Sequence, residues 1–148
     1  MKIAIGSDHA GYEMKQLMIG HLAEKGYDVT DFGPDAGGKY DYPKKAVEVG
    51  ERVAAGEFDR GVLICGTGIG MSIAANKIKG IRAALCGDTF SARMASEHND
   101  ANIVCLGARV TGPSLALDIL DAYLDAHFDG GRHGVRVGMI NDYDKGRE

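Results

Sequence analysis

The run Gly61-Val-Leu-Ile-Cys65-Gly-Thr-Gly-Ile-Gly-Met-Ser72 decides how the chain folds. An aliphatic, β-branched segment without a polar interruption reads as a strand buried on both faces. The glycines behind it read as a tight turn into a helix. The same strand signal recurs at Lys2–Gly6, Asp28–Phe32, Ile81–Cys86 and Ile103–Leu106, each followed by glycine or a polar residue.

Helical spacing fills the gaps. Met14, Leu17, Met18 and Leu22 share one face before Gly26, and Pro43 suits the first turn of a helix running to about Ala55, where Gly56 stops it. Thr111-Gly-Pro-Ser114 opens another helix through Leu115, Leu117, Ile119, Leu120, Tyr123 and Leu124 to about Phe128. Strands joined by crossovers of this length give an α/β fold, a mainly parallel sheet with helices on both faces and right-handed connections. Residues Gly33–Tyr42 form the longest irregular stretch. The tail from Gly130 holds Arg132, His133 and Arg136 before a polar end.

With 148 residues, 45% of them hydrophobic, the expectation is a single domain over the whole chain. A formal net charge of −4 excludes the broad basic face of a nucleic-acid binder. No apolar run approaches the roughly 18 residues of a membrane span, and Met1-Lys2-Ile3-Ala4-Ile5 enters structure directly, which points to the cytosol. Cys65, Cys86 and Cys105 are odd in number and form no CxxC pair, so free thiols and no metal site are expected.

Polar residues gather at three strand ends: Ser7-Asp8-His9, Cys65-Gly-Thr67 and Glu97-His98-Asn99-Asp100. Asp8 reads as an N-cap or as a site residue, and His9 is open between the two. The glycines of Gly66–Ser72 let backbone amides approach an anion at a helix N-terminus. The run lacks a P-loop's Lys-Ser/Thr ending, and Met71 replaces the third glycine of a dinucleotide fingerprint. It reads as an oxyanion cradle or as a plain turn. Cys65 alone reads as a small core residue; beside a helix N-terminus, which favours a thiolate, it reads as a base for proton abstraction next to a carbonyl. Cys86 and Cys105 read as core, and His98 as exposed or site-lining. Arg132 and Arg136, four apart, would share a helix face that either clamps a phosphate or meets solvent.

Taken in order, Gly6-Ser-Asp-His-Ala-Gly11, Asp41-Tyr-Pro43, Cys65–Ser72, Glu97-His-Asn-Asp-Ala-Asn102 and Gly130-Gly-Arg-His133 resemble the ribose-5-phosphate isomerase B family, which also includes the galactose-6-phosphate isomerase subunits. The resemblance implies a Rossmann-like three-layer α/β/α sandwich with a five-stranded parallel sheet. It also implies a homodimer or dimer of dimers with active sites at the subunit interface, a small sugar phosphate as substrate, and no cofactor or metal.

On the matching positions, Cys65 would move a proton between C1 and C2, and Thr67 would assist proton movement between the oxygens. The amides of Gly66, Gly68, Ile69, Gly70, Met71 and Ser72 would hold the enediolate. His98, from the neighbouring subunit, would open the furanose ring, while Asp8, Tyr42 and Asn99 would contact the sugar. His9, Arg132 and Arg136, with Arg109 from across the interface, would bind phosphate, and the segment from about 130 would add interface. Ser96 and Met139 depart from the usual pattern and would affect pocket or interface. The expected reaction is ribose 5-phosphate to ribulose 5-phosphate; the alternatives are galactose 6-phosphate, allose 6-phosphate or a tetrose phosphate, and, in another class, a non-catalytic sugar-phosphate-binding module.

Overall fold

In the computed structural model, which describes residues 1–146, the quoted strand runs from Arg60 to Cys65 and is buried from Gly61 onward. In chain order the elements are β1 (Lys2–Ser7), α1 (Tyr12–Glu24), β2 (Asp28–Asp31), α2 (Tyr42–Ala54), β3 (Arg60–Cys65), α3 (Ile69–Ala75), β4 (Ala83–Leu85), α4 (Thr89–Glu97), β5 (Ile103–Gly107), α5 (Pro113–Asp125) and α6 (Gly131–Lys145). Every strand pairing is parallel, in the order β2-β1-β3-β5-β4. This is the expected five-stranded parallel α/β sandwich.

Side chains alternate across a strand, so the apolar runs supply two cores at once. Ile3, Ile5, Val62, Ile64, Val104 and Leu106 pack with α1, α4 and α5, whereas Ala4, Leu63, Cys65, Ile103 and Cys105 pack with α2 and α3. Cys86 and Cys105 are buried free thiols, as expected. The chain steps from β1 out to β2 and returns past β1 to β3. A crevice is therefore left between the C-terminal ends of β1 and β3, the place where open α/β sheets hold ligands.

Two buried lysines fix the β2–α2 connection. Lys15, fully buried on α1, donates to both oxygens of Asp31 at 2.7 and 2.8 Å and to the Pro34 carbonyl at 3.0 Å. Lys45 on α2 donates to the Phe32 carbonyl and to Glu48. The irregular stretch beyond them is thus anchored where it leaves the sheet.

The structure shortens several expected elements and extends one. Strand β4 keeps only Ala83–Leu85, because Arg82 turns its N–H to the Asn102 side chain at 2.8 Å, and β2 stops at Asp31. The helix α5 ends at Asp125. The tail from Gly130, expected to carry Arg132 and Arg136 on a helix face before a polar end, is helical through Lys145 as the 15-residue α6. Its apolar residues Val135, Met139, Ile140 and Tyr143 are exposed, and only His133 and Val137 are buried. Ser96 is buried, not pocket-lining: its hydroxyl donates to the Tyr123 carbonyl at 2.6 Å, joining α4 to α5.

Candidate active site

Cys65 ends β3 inside the crevice, level with Gly107 of β5, and the chain turns at once into α3. Gly68 makes that turn possible with φ +77°, a left-handed conformation that costs any side-chain-bearing residue roughly 1–2 kcal/mol. The turn aims the Gly68 N–H at the Cys65 sulfur, 3.1 Å away. The Ile69 N–H goes to Thr67 Oγ1 at 3.3 Å, and the Ser72 N–H to the Gly68 carbonyl at 3.1 Å. Those three amides are therefore already used, which narrows the expected Gly66–Ser72 cradle. Among the described residues the amides of Gly66 and Thr67 in the turn, and of Gly70 and Met71 in the first turn of α3, have no acceptor and are open to a ligand oxygen.

The neighbours of this turn come from three connections, β1–α1, β2–α2 and β5–α5. Asp8 follows β1; its N–H donates to the Ile64 carbonyl at 3.1 Å, and its Oδ1 accepts from Ala10 and Gly11 at 2.9 and 3.1 Å. Asp8 thus closes a turn ahead of α1, and Gly11, not Asp8, is the helix N-cap. His9 accepts from the Tyr40 N–H at 3.4 Å and lines a cavity of about 450 Å³ with Tyr12, Glu13, Pro34 and Gly38. The Tyr42 ring lies so close over α3 that a Cβ on Gly70 would come within 2.6 Å of it. Arg109 donates its N–H to the Gly66 carbonyl at 3.0 Å and rests its guanidinium beside Gly66. Within its own chain it therefore braces the turn after β3.

His98, Asn99, Arg132 and Arg136 are elsewhere. Helix α4 runs against the strands and delivers His98 to the opposite edge of the sheet, beside the starts of β3 and β5. The turn is braced by Arg82, whose guanidinium donates to the carbonyls of Asn99 and Asp100 and to Asn141 of α6. Asp100 lies in this turn with a positive φ of 45°. The Asp129 N–H donates to the Glu97 carbonyl at 2.9 Å, so α6 starts at the end of α4. The rings of His98 and His133 then stack 4.0 Å apart and 6° from parallel. Sequence reading quoted His133 in a motif without giving it work. Its signal was its place next to Arg132.

One chain therefore presents two groups of candidate residues at opposite ends of the strands: a thiol, open turn amides and a tyrosine at one; a histidine, an asparagine and two arginines at the other. Comparison with known proteins gives the family. The family model described as Ribose/Galactose Isomerase matches residues 3–140. The chain belongs to the ribose/galactose isomerase family.

Within this family the chain is 51% identical to the ribose-5-P isomerase B of Listeria innocua over 145 residues, 98% of each chain. It is 46% identical over 145 residues to the D-erythrulose-4-phosphate isomerase of Pectobacterium atrosepticum, 97% of this chain and 95% of that one. Its fold superimposes on the ribose-5-phosphate isomerase B of Clostridium thermocellum with a TM-score of 0.98 and 54% identity over all of both chains. The Mycoplasma genitalium ribose-5-phosphate isomerase B, solved with bound ribulose 5-phosphate, matches with a TM-score of 0.94 and 41% identity, covering 98% of this chain and 97% of that one. Like those relatives, this ribose/galactose isomerase is an aldose–ketose isomerase. No helix among its described residues is long and apolar enough to cross a membrane.

Proposed function

We propose that the chain interconverts ribose 5-phosphate and ribulose 5-phosphate in the cytosol as a homodimer, each active site taking one half from each subunit. The observation that carries the chemistry is the Gly68 N–H on the Cys65 sulfur, because an amide donor steadies the negative charge a thiolate base must carry. The observation that carries the dimer is the separation of the half-sites, together with the exposed apolar face of α6, which has little of its own chain to pack on.

The reaction begins with the furanose. His98 of a second copy protonates the ring oxygen while the C1 hydroxyl gives its proton to solvent; the C1–O4 bond breaks and an aldehyde forms. Asp8, Tyr42 and Asn99 orient the hydroxyls. The Cys65 thiolate then takes the proton from C2, and the electron pair moves through the C1–C2 bond onto O1. The amides of Gly70 and Met71 hold that oxygen charge; a donor of this kind is worth about 2.7–4 kcal/mol of barrier. Thr67 passes a proton between O1 and O2, and Cys65 returns its proton to C1, giving the ketose. The proton travels by way of Cys65 and the electron pair never leaves the substrate, so the step needs no electron carrier.

His9, Arg109, Arg132 and Arg136 bind the phosphate, whose binding energy places C1 and C2 against the thiol. Arg132 and Arg136 come with His98 from the second copy, since all three share one edge of the sheet.

A second reading keeps this chemistry and shortens the sugar to a tetrose phosphate; the erythrulose-4-phosphate relative favours it. Initial rates with four-, five- and six-carbon aldose phosphates decide between them. Ribose 5-phosphate is expected to give the highest kcat/KM, and Cys65→Ala to lose at least about a hundredfold. Near-normal turnover by that variant would overturn the role of Cys65, and binding without turnover would revive the non-catalytic module.

A further inference from the structure

The arginines of α6 are accounted for by the phosphate, which leaves His133 without work. Only 8% of it is exposed, and its backbone N–H donates to the Gly130 carbonyl at 3.0 Å in the first turn of α6. His98, whose side chain is 38% exposed, has no hydrogen bond to its ring among the described residues; its nearest carboxylate oxygen, on Asp129, is 4.0 Å from Nε2. An imidazole without a hydrogen bond is held only weakly about its last torsion, where the energy wells are broad. The parallel ring of His133 limits that rotation.

We propose that His133 is the positioning residue of the ring-opening histidine: its buried ring is the flat wall that sets the plane in which His98 meets the sugar. This rests on the ring-opening role given to His98 above. A hydrogen bond would have fixed the ring by occupying a nitrogen. Stacking fixes it by the face and leaves both nitrogens for proton transfer.

Burial lowers the proton affinity of His133, and the nearby His98, Arg132 and Arg136 lower it further, against a smaller opposing pull from Asp129. The ring of His133 therefore favours its neutral form beside His98. His98, Asp129 and His133 bring their donor atoms within 4.8 Å of one another, the spacing of a metal trio. The lone pairs of parallel stacked rings, however, lie in planes that never meet, so the two imidazoles cannot aim at one ion without breaking the stack. The arrangement is built for contact between faces.

Ring opening can be read without isomerisation. A Cys65→Ala enzyme cannot enolise the aldehyde, yet its His98 still opens the furanose, so exchange between the α and β anomers of ribose 5-phosphate, followed by saturation-transfer NMR, reports the step alone. In that background His133→Ala is expected to slow enzyme-dependent anomer exchange about tenfold, and His133→Phe, which keeps a flat ring, to recover it to within threefold. Equal exchange in the alanine variant and its parent, or a phenylalanine variant no better than alanine, overturns the proposal. So does a zinc titration in which the intact protein binds the ion through both histidines. His98→Asn in the same background separates the two levels: if it leaves exchange unchanged, the ring-opening reading itself has failed.

Discussion

Cys65 and His98 of one chain stand on opposite edges of the same sheet, separated by the length of β3. That strand is six residues long, so at least about 16 Å of buried backbone lies between them. No side-chain rotation closes such a gap. A site that uses both must draw them from different chains, and a twofold dimer then holds two equivalent sites.

Cys65→Ala and His98→Asn proteins, each inactive alone, are therefore expected to regain about a quarter of wild-type turnover when their subunits are exchanged at equal amounts, because half the dimers are hybrids with one intact site each. Steady-state rates after verified exchange check this. A mixture as dead as its components would mean that each chain supplies a complete site.

Gly70→Ala and Gly68→Ala should fail differently. At Gly70 the added Cβ meets the ring of Tyr42, which is partly exposed and can swing away. Thermal stability should change little while kcat/KM falls about tenfold, as the loss of one positioned contact predicts. At Gly68 the Cβ meets the Leu106 backbone at 2.9 Å, and φ is +77°. Here the melting temperature should drop along with activity. Equal melting temperatures for the two variants would contradict the assignment of rigid and yielding neighbours.

The three thiols should be distinguishable by alkylation at pH 8. Burial, helped by the Asp88 carboxylate, pushes the Cys86 thiol up to about 11, and burial pushes Cys105 higher still. Both keep their protons at that pH. Mass spectrometry after brief iodoacetamide treatment should find Cys65 modified first, in step with loss of activity, and protected by ribulose 5-phosphate. Early labelling of Cys86 would count against this.

Stability in mild acid should depend on Asp121, between α1 and α5. Burial alone would raise its carboxyl, but the Lys25 ammonium and the His21 ring, each 2.8 Å away, outweigh that and hold it below the ordinary value. A carboxyl lowered on folding stabilises the fold above its unfolded value of about 3.9 and loses that contribution as pH falls through the folded value. Wild type should therefore lose melting temperature from about pH 4 downward more steeply than Asp121→Asn. Parallel curves would show that the pair, being partly exposed, contributes nothing measurable.

Much of this was legible in the chain. Parallel strands buried on both faces leave unbroken aliphatic runs, so Gly61–Cys65 and Ile103–Leu106 announced themselves, and the glycines after Cys65 marked the turn. The short β4 was overdrawn because nothing in Ile81-Arg82 shows that Asn102 will capture the Arg82 amide. The length of helix α6 escaped because its apolar residues do not face its own core, and periodicity is easiest to trust where a chain buries its own stripe. The division of labour within Gly66–Ser72 was out of reach too. Seven amides look alike in a sequence, and only the fold shows that Gly68, Ile69 and Ser72 spend theirs inside the turn.

The sparse seating of α6 separates two properties usually measured together. The sheet and its five packed helices can stay folded while α6 loosens, and the arginines and the stacked histidines loosen with it. Heat or denaturant should then silence the catalyst when far-ultraviolet circular dichroism has lost only the share of α6, and the temperature at which the sheet melts will overstate the temperature to which the protein works.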